Sequence, residues 1–144
     1  MIKSKTIVGL SGSLRKASSN TKLLKYIEKK IKLKDGDIHF SFGSINLPLY
    51  NDDLEKEAGI PETVIKLGET LSRASGIIIS TPEYNKGISG ALKNSFDWMS
   101  RLKPNPFTSK TVAIVSATDG RSGGERSQYT VSYTHLRAHE TTPH

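Results

Sequence analysis

A chain of 144 residues with 35% hydrophobic residues fits one domain with a real core. It contains no Cys, which excludes disulfides and thiolate chemistry and agrees with a reducing cytoplasm. The net charge is +7, yet no apolar run approaches the roughly 18 residues of a membrane span, and no apolar stretch follows the N-terminal lysines as in a secretory leader.

Ten of the 21 basic residues lie in positions 1–34, against one acid, Glu28. The plain reading is a solvated basic helix face; the sharper one is attraction of phosphorylated ligands. Aromatic residues are not interleaved with the basic ones, so nucleic acid is not indicated.

Thr6–Leu10 is a short apolar run suited to a strand buried on both faces. A loop rich in Gly, Ser and Arg follows, and then a helix over Asn20–Leu33. Its apolar positions Leu23, Leu24, Ile27 and Ile31 recur at helical spacing. Asn20 is the expected N-cap, with free N–H groups and the positive dipole end facing the loop. Ser11, Ser13, Ser18 and Ser19 add hydroxyls and Arg15 a charged fork, a set that suits a phosphate monoester. No Gly-Lys-Ser/Thr follows, so this is not an ATP-hydrolysing P-loop.

Lys34–Asp37 is a turn. Ile38, Phe40 and Phe42 alternate with His39 and Ser41, which marks a second strand with His39 at its surface. Asn46–Glu57 reads as a loop. Asp52 and Asp53 lack both the spacing and the partners of a metal site. Pro61 opens a second helix, carried by Val64, Leu67, Leu71 and Ala74 to about Ser75. Ile77-Ile78-Ile79 begins a third strand, again expected to be buried on both faces. Thr81–Gly90 is a second strand-to-helix loop. Leu92, Phe96 and Met99 then mark a helix to about Leu102, which Lys103–Pro106 breaks. Thr111–Ser116 is a fourth strand, and Ala117–Gly124 a third loop with a helix expected after it.

This alternation of strands and helices predicts a mostly parallel, doubly wound α/β sheet covered on both faces. Loops after the first, third and fourth strands then meet at the carboxyl edge, where such sheets bind ligands. The tail breaks the pattern. Three of the four His, namely His135, His139 and His144, fall in the last ten residues. His135 and His139 have i, i+4 spacing, but Thr141-Thr142-Pro143 would end a metal-binding helix there. Residues 131–141 also resemble translated sequencing-adaptor sequence, so 131–144 reads as a non-native tail and 1–130 as the domain.

Three stretches, in order, resemble the NADPH-dependent FMN reductase family, which is flavodoxin-like and includes quinone, azo-dye and chromate reductases. Gly12–Asn20 matches its phosphate loop. Thr81–Asn85 with Gly90–Trp98 matches its most diagnostic motif. Gly123–Tyr129 matches the start of its last shared segment. The resemblance implies a sheet of order 2-1-3-4-5, with the fifth strand and last helix missing from this chain. It implies FMN and NADPH as cofactors. Ser11, Ser13, Arg15, Ser18 and Asn20 would hold the phosphate; Pro82, Glu83, Tyr84 and Asn85, with Thr118, Gly120, Gly123 and Gly124, would approach the ring. Lys93, Asn94, Asp97 and Trp98 would brace the site from behind.

The implied activity is ping-pong transfer from NADPH through FMN to flavin, quinone, azo or similar small acceptors, with no catalytic side chain and no metal. A cytoplasmic homodimer or homotetramer is implied for the complete family form. A flavodoxin-type electron carrier is an alternative, disfavoured by the basic charge because such carriers are acidic. So is an inactive fragment lacking the last strand and helix.

Overall fold

The computed structural model describes residues 4–119 and 123–132. Four strands form one sheet: β1 (Thr6–Ser11), β2 (His39–Gly43), β3 (Gly76–Ser80) and β4 (Thr111–Val115), in the order β2-β1-β3-β4. All three pairings are parallel, with Leu10 opposite Gly43 and Ile79, and Ile79 opposite Ile114. This is the predicted order for the first four strands. The five helices are α1 (Ser19–Lys34), α2 (Asp52–Ala58), α3 (Glu62–Ser72), α4 (Gly90–Met99) and α5 (Glu125–Tyr129).

Helix α1 packs against β1 and β3 on one face of the sheet. Helices α3 and α4 pack together on the other. The main core lies on that second face. Val8 and Leu10 of β1 and Ile77 and Ile79 of β3 meet Val64, Leu67 and Leu71 of α3 and Leu92, Phe96 and Met99 of α4, with fully buried Val131 joining them. Each such side chain stabilises the fold by about 1.5–3 kcal/mol. The α1 face is thinner. Leu24 is fully buried, but Leu23, Ile27 and Ile31 are half-buried. Ile78 is half-buried and Ala113 exposed, so β3 is fully covered on one face and partly on the other. The expectation of burial on both faces holds only for its α3/α4 side.

Two local expectations are corrected. The N-cap of α1 is Ser18, whose hydroxyl accepts from Asn20 N (3.2 Å) and Thr21 N (3.4 Å), so Asn20 lies inside the helix. The stretch expected to be a loop contains α2. Asn51 caps it by accepting from Asp53 N at 2.9 Å, and Asp52, Asp53 and Glu55 favour the positive end of its dipole. The segment before α2 is strapped to α4: Asn94 Nδ2 and Trp98 Nε1 both donate to Pro48 O, at 3.0 and 2.7 Å, and Tyr50 N donates to Asn94 Oδ1 at 2.8 Å. Arg101 closes the strap with a two-pronged ion pair to Glu55. Asn94 and Trp98 thus brace the loop after β2 rather than one of the three loops at the cleft, while Lys93 and Asp97 pair with each other at the surface. Residues 133–144, including His135, His139 and His144, lie outside the described residues.

Candidate functional site

Parallel register brings the carboxyl ends of β1, β3 and β4 level, with Ser11 opposite Ser80 and Ser80 opposite Val115. Short bonds then draw their loops together. Gly12 N donates to Ser80 O at 2.8 Å, Ser89 Oγ to Gly12 O at 2.6 Å, and Thr81 N to Val115 O at 2.9 Å. Gly12 is needed for this approach, because a Cβ there would stand 2.8 Å from Pro82 Cδ and 3.2 Å from Ser80 O. Asn20, only 4% exposed, is the common brace. Its Oδ1 accepts from Ser80 Oγ (2.8 Å) and Ala117 N (3.0 Å), and its Nδ2 donates to Ala117 O (3.3 Å).

The second loop carries a tight turn. Tyr84 and Gly87 exchange backbone bonds, and both central residues, Asn85 (φ 50°) and Lys86 (φ 64°), are left-handed. Such turns suit the twist of paired strands but strain non-glycine residues. Tyr84 is left 51% exposed. Glu83 Oε1 accepts from Ser127 N at 3.1 Å, and Ser127 Oγ donates to Pro82 O at 2.8 Å, tying α5 to this loop. In the third loop Ser116 Oγ donates to Gly123 O and accepts from Gln128 Nε2, each at 2.5 Å. Gly124, at φ 79°, opens α5.

Between the three loops lies a cleft of about 500 Å³, in the range of small-molecule sites. Of the predicted residues, Ser13, Arg15, Ser18, Asn20, Pro82, Glu83, Tyr84, Thr118 and Gly123 line it. Ser11 does not: its hydroxyl is engaged by Thr21 Oγ1 at 2.8 Å and by the Ser13 backbone. Asn85 lies in the turn and Gly124 at the start of α5, both off the cleft wall. Gly120 is outside the described residues. Ser19, Ser116, Ala117 and Asp119 line the cleft as well. Ser19 is among the hydroxyls read from the sequence; Ser116, Ala117 and Asp119 are not singled out there, although Ser116 and Ala117 follow β4 directly, where a parallel sheet places its ligands.

Ser13, Ser19 and Arg15 line the cleft at the start of α1, and the Ser13 hydroxyl also accepts from Arg15 N at 3.4 Å. The sequence pattern of NADPH-dependent FMN reductases matches residues 6–140. The chain belongs to that family. A quinone reductase of Escherichia coli K12 is 40% identical over 131 residues, covering 91% of this chain and 66% of the relative. An NAD(P)H-dependent FMN reductase of Pseudomonas aeruginosa is 38% identical over 132 residues, again covering 91% and 66%. This FMN reductase family member therefore spans just under two thirds of the length of these relatives. Among solved structures, the flavoenzyme FerB, an NAD(P)H:(acceptor) oxidoreductase of Paracoccus denitrificans, superposes with a TM-score of 0.82 at 33% identity, over 97% of this chain and 75% of that one.

Among the described residues of this family member, no three His, Asp or Glu side chains converge as metal ligands, and no helix is long and apolar enough to cross a membrane.

Proposed function

We propose that this chain is the FMN-binding unit of a cytoplasmic NAD(P)H-dependent oxidoreductase that reduces flavin, quinone, azo or similar small acceptors. The unit comprises residues 1–130, and the complete protein works as a homodimer or homotetramer. The observation that carries this reading is the cleft where a phosphate-suited loop faces an aromatic-walled one at the sheet's carboxyl edge.

The residues fit the cofactor. The Ser13 and Ser19 hydroxyls at the start of α1 suit the acceptor oxygens of a phosphate monoester, and Arg15 supplies a charge-assisted pair. Ser11, Ser18 and Asn20 hold that loop in shape rather than through free polar groups. Pro82, Glu83 and Tyr84 wall the ring side, with Asn85 turning the chain behind them; Thr118 and Gly123 line the opposite loop, and Gly124 opens the helix after it. Bound FMN supplies hydride acceptance and delivery. With that chemistry supplied by the flavin, the cleft would need no nucleophile, and its side chains would bind and orient the ring. If one face of the bound ring served donor and acceptor in turn, the kinetics would be ping-pong.

Purified protein should bind FMN, turn yellow, and lose the colour on addition of NADPH without any partner protein. Arg15→Ala should weaken FMN by about 1.5–3 kcal/mol, as for a hydrogen bond to a charged group, with riboflavin binding unchanged. Double-reciprocal plots with a quinone should be parallel. No FMN binding by the wild type, or equal FMN affinity in the variant, overturns the site; intersecting lines overturn the single-face cycle.

A further inference from the structure

Helix α1 buries one stripe and leaves the opposite one bare. Leu24 is fully buried, and Leu23, Ile27 and Ile31 are half-buried. On the other side Lys22, Lys25, Tyr26, Lys29 and Leu33 recur at i, i+3, i+4, i+7 and i+11, and all are exposed. Tyr26 is 56% and Leu33 73% exposed. The helix carries six lysines against one acid, Glu28, and that acid is taken by Lys32 at 3.4 Å. Lys30 Nζ stands 5.4 Å from the centre of the Tyr26 ring. Lys22, Lys25 and Lys29 form no ion pair among the described residues. The next acids, Asp35 and Asp37, lie in the turn beyond the helix, where Asp35 Oδ1 accepts from Asp37 N at 3.0 Å.

The fold gains nothing from this stripe. Like charges three and four residues apart destabilise a helix, and two large apolar groups are left in water. A partner that repays both must be anionic, flat over the stripe's length of roughly 16 Å, and apolar just beneath its charge. The cations are all lysine, without the planar fork that reads a fixed geometry, so charge density is what they recognise. Lysine stems lie along apolar surface while their ammonium groups reach outward, and a tyrosine sits well at headgroup depth.

We propose that this face of α1 docks on the anionic headgroup surface of a phospholipid bilayer, with Lys22, Lys25 and Lys29 over the phosphates and Tyr26 and Leu33 dipping between the headgroups. Ser19, three residues before Lys22 on the same stripe, lines the cleft. Docking therefore sets the mouth of the cleft beside the bilayer, where apolar acceptors dissolve.

The test is flotation of the full chain, with FMN added, on vesicles of phosphatidylcholine alone or with one third phosphatidylglycerol; aggregated protein does not float. Partitioning should be at least about tenfold stronger on the anionic vesicles and should be lost near 1 M salt, where charges are screened beyond roughly 3 Å. Lys22→Gln/Lys25→Gln/Lys29→Gln should weaken it on the order of a hundredfold, with the melting curve kept and FMN affinity unchanged within about twofold. Lys22→Arg/Lys25→Arg/Lys29→Arg should bind as wild type does. Tyr26→Ser/Leu33→Ser should lose at least about fivefold, since bilayer binding scales with buried apolar area. No flotation of the wild type, equal flotation on neutral vesicles, or a glutamine triple that still floats overturns the proposal. So does a Tyr26→Ser/Leu33→Ser protein that floats like wild type, or displacement of wild type from the vesicles by polyglutamate at equal charge, either of which makes the stripe a general polyanion contact. Flotation involves no turnover, and FMN fluorescence quenching tests the flavin reading separately.

Discussion

Replacing Asn20 by Ala removes three hydrogen bonds at once. Ser80 Oγ is fully buried and would lose its acceptor with no route to water. Leaving it unpaired costs about 1–3 kcal/mol. Ala117 N and O are half-buried and lose bonds of 3.0 and 3.3 Å, but water can partly replace them. The total comes to about 2–4 kcal/mol, a fall in Tm on the order of 10 °C for a chain of this size. The assay is thermal unfolding of flavin-free protein, so that no ligand contact contributes. Asn20→Asp keeps the acceptor for Ser80 and Ala117 N but sets a second oxygen against Ala117 O, where Nδ2 donated, and buries a charge, so it should lose at least as much stability as Ala. It also puts a negative charge on the cleft wall beside the loop proposed to hold the phosphate, and should weaken FMN more than Ala does. If flavin-free Asn20→Ala melts within a degree of wild type, the three bonds do not hold the loops and the brace argument fails.

Gly124→Ala forces a left-handed φ of 79° on a residue with a Cβ, and that atom would lie 2.5 Å from Ser116 Oγ. The strain alone costs about 1–2 kcal/mol, and Ser116 must abandon Gly123 and Gln128, so both Tm and FMN affinity should fall; an unchanged melt refutes the packing of α5. The strap gives a pH signature. The hydrogen bond from Arg101 holds the Glu55 carboxyl below the usual carboxylate range, and the guanidinium's charge adds to this. A carboxyl whose folded pKa is lowered stabilises the fold fully above its unfolded value, near 4.3, and loses that contribution as pH falls through the folded value. The Tm difference between wild type and Glu55→Gln should therefore be constant above about pH 5 and shrink below roughly pH 4.3. A difference that does not shrink at all as the pH falls below the unfolded value sinks the ion-pair account.

Most of the fold was legible because its signals are local. The apolar runs in β1 and β3 and the helical stripes of α1, α3 and α4 announce themselves within a few residues. Helix α2 was not legible, because it buries no residue and so has no stripe to read; only the Asn51 cap and three acids betray it. The start of α1 could not be fixed from sequence, since Ser18, Ser19 and Asn20 are all competent caps. What decides is Asn20's engagement with Ser80 and Ala117, which draws its side chain across to β3 and β4. The cleft was foreseeable as a place, at the ends of three parallel strands. Which side chain of a loop turns inward was not: Asn85 is spent on a turn, and Glu83 meets Ser127, 44 residues away.

The bond from Asn20 to Ala117 spans 97 residues of sequence. Synthesis runs from the N-terminus, so the loop after β1 is among the first segments made and among the last finished. It stays unbraced until β4 has left the ribosome and paired with β3, a long-range closure of the slow kind. A ligand that grips all three loops is thus recognised only by a chain whose sheet has closed, and its binding energy is added to unfolding of the whole molecule rather than to one loop. Cofactor capture in this fold doubles as a checkpoint on folding.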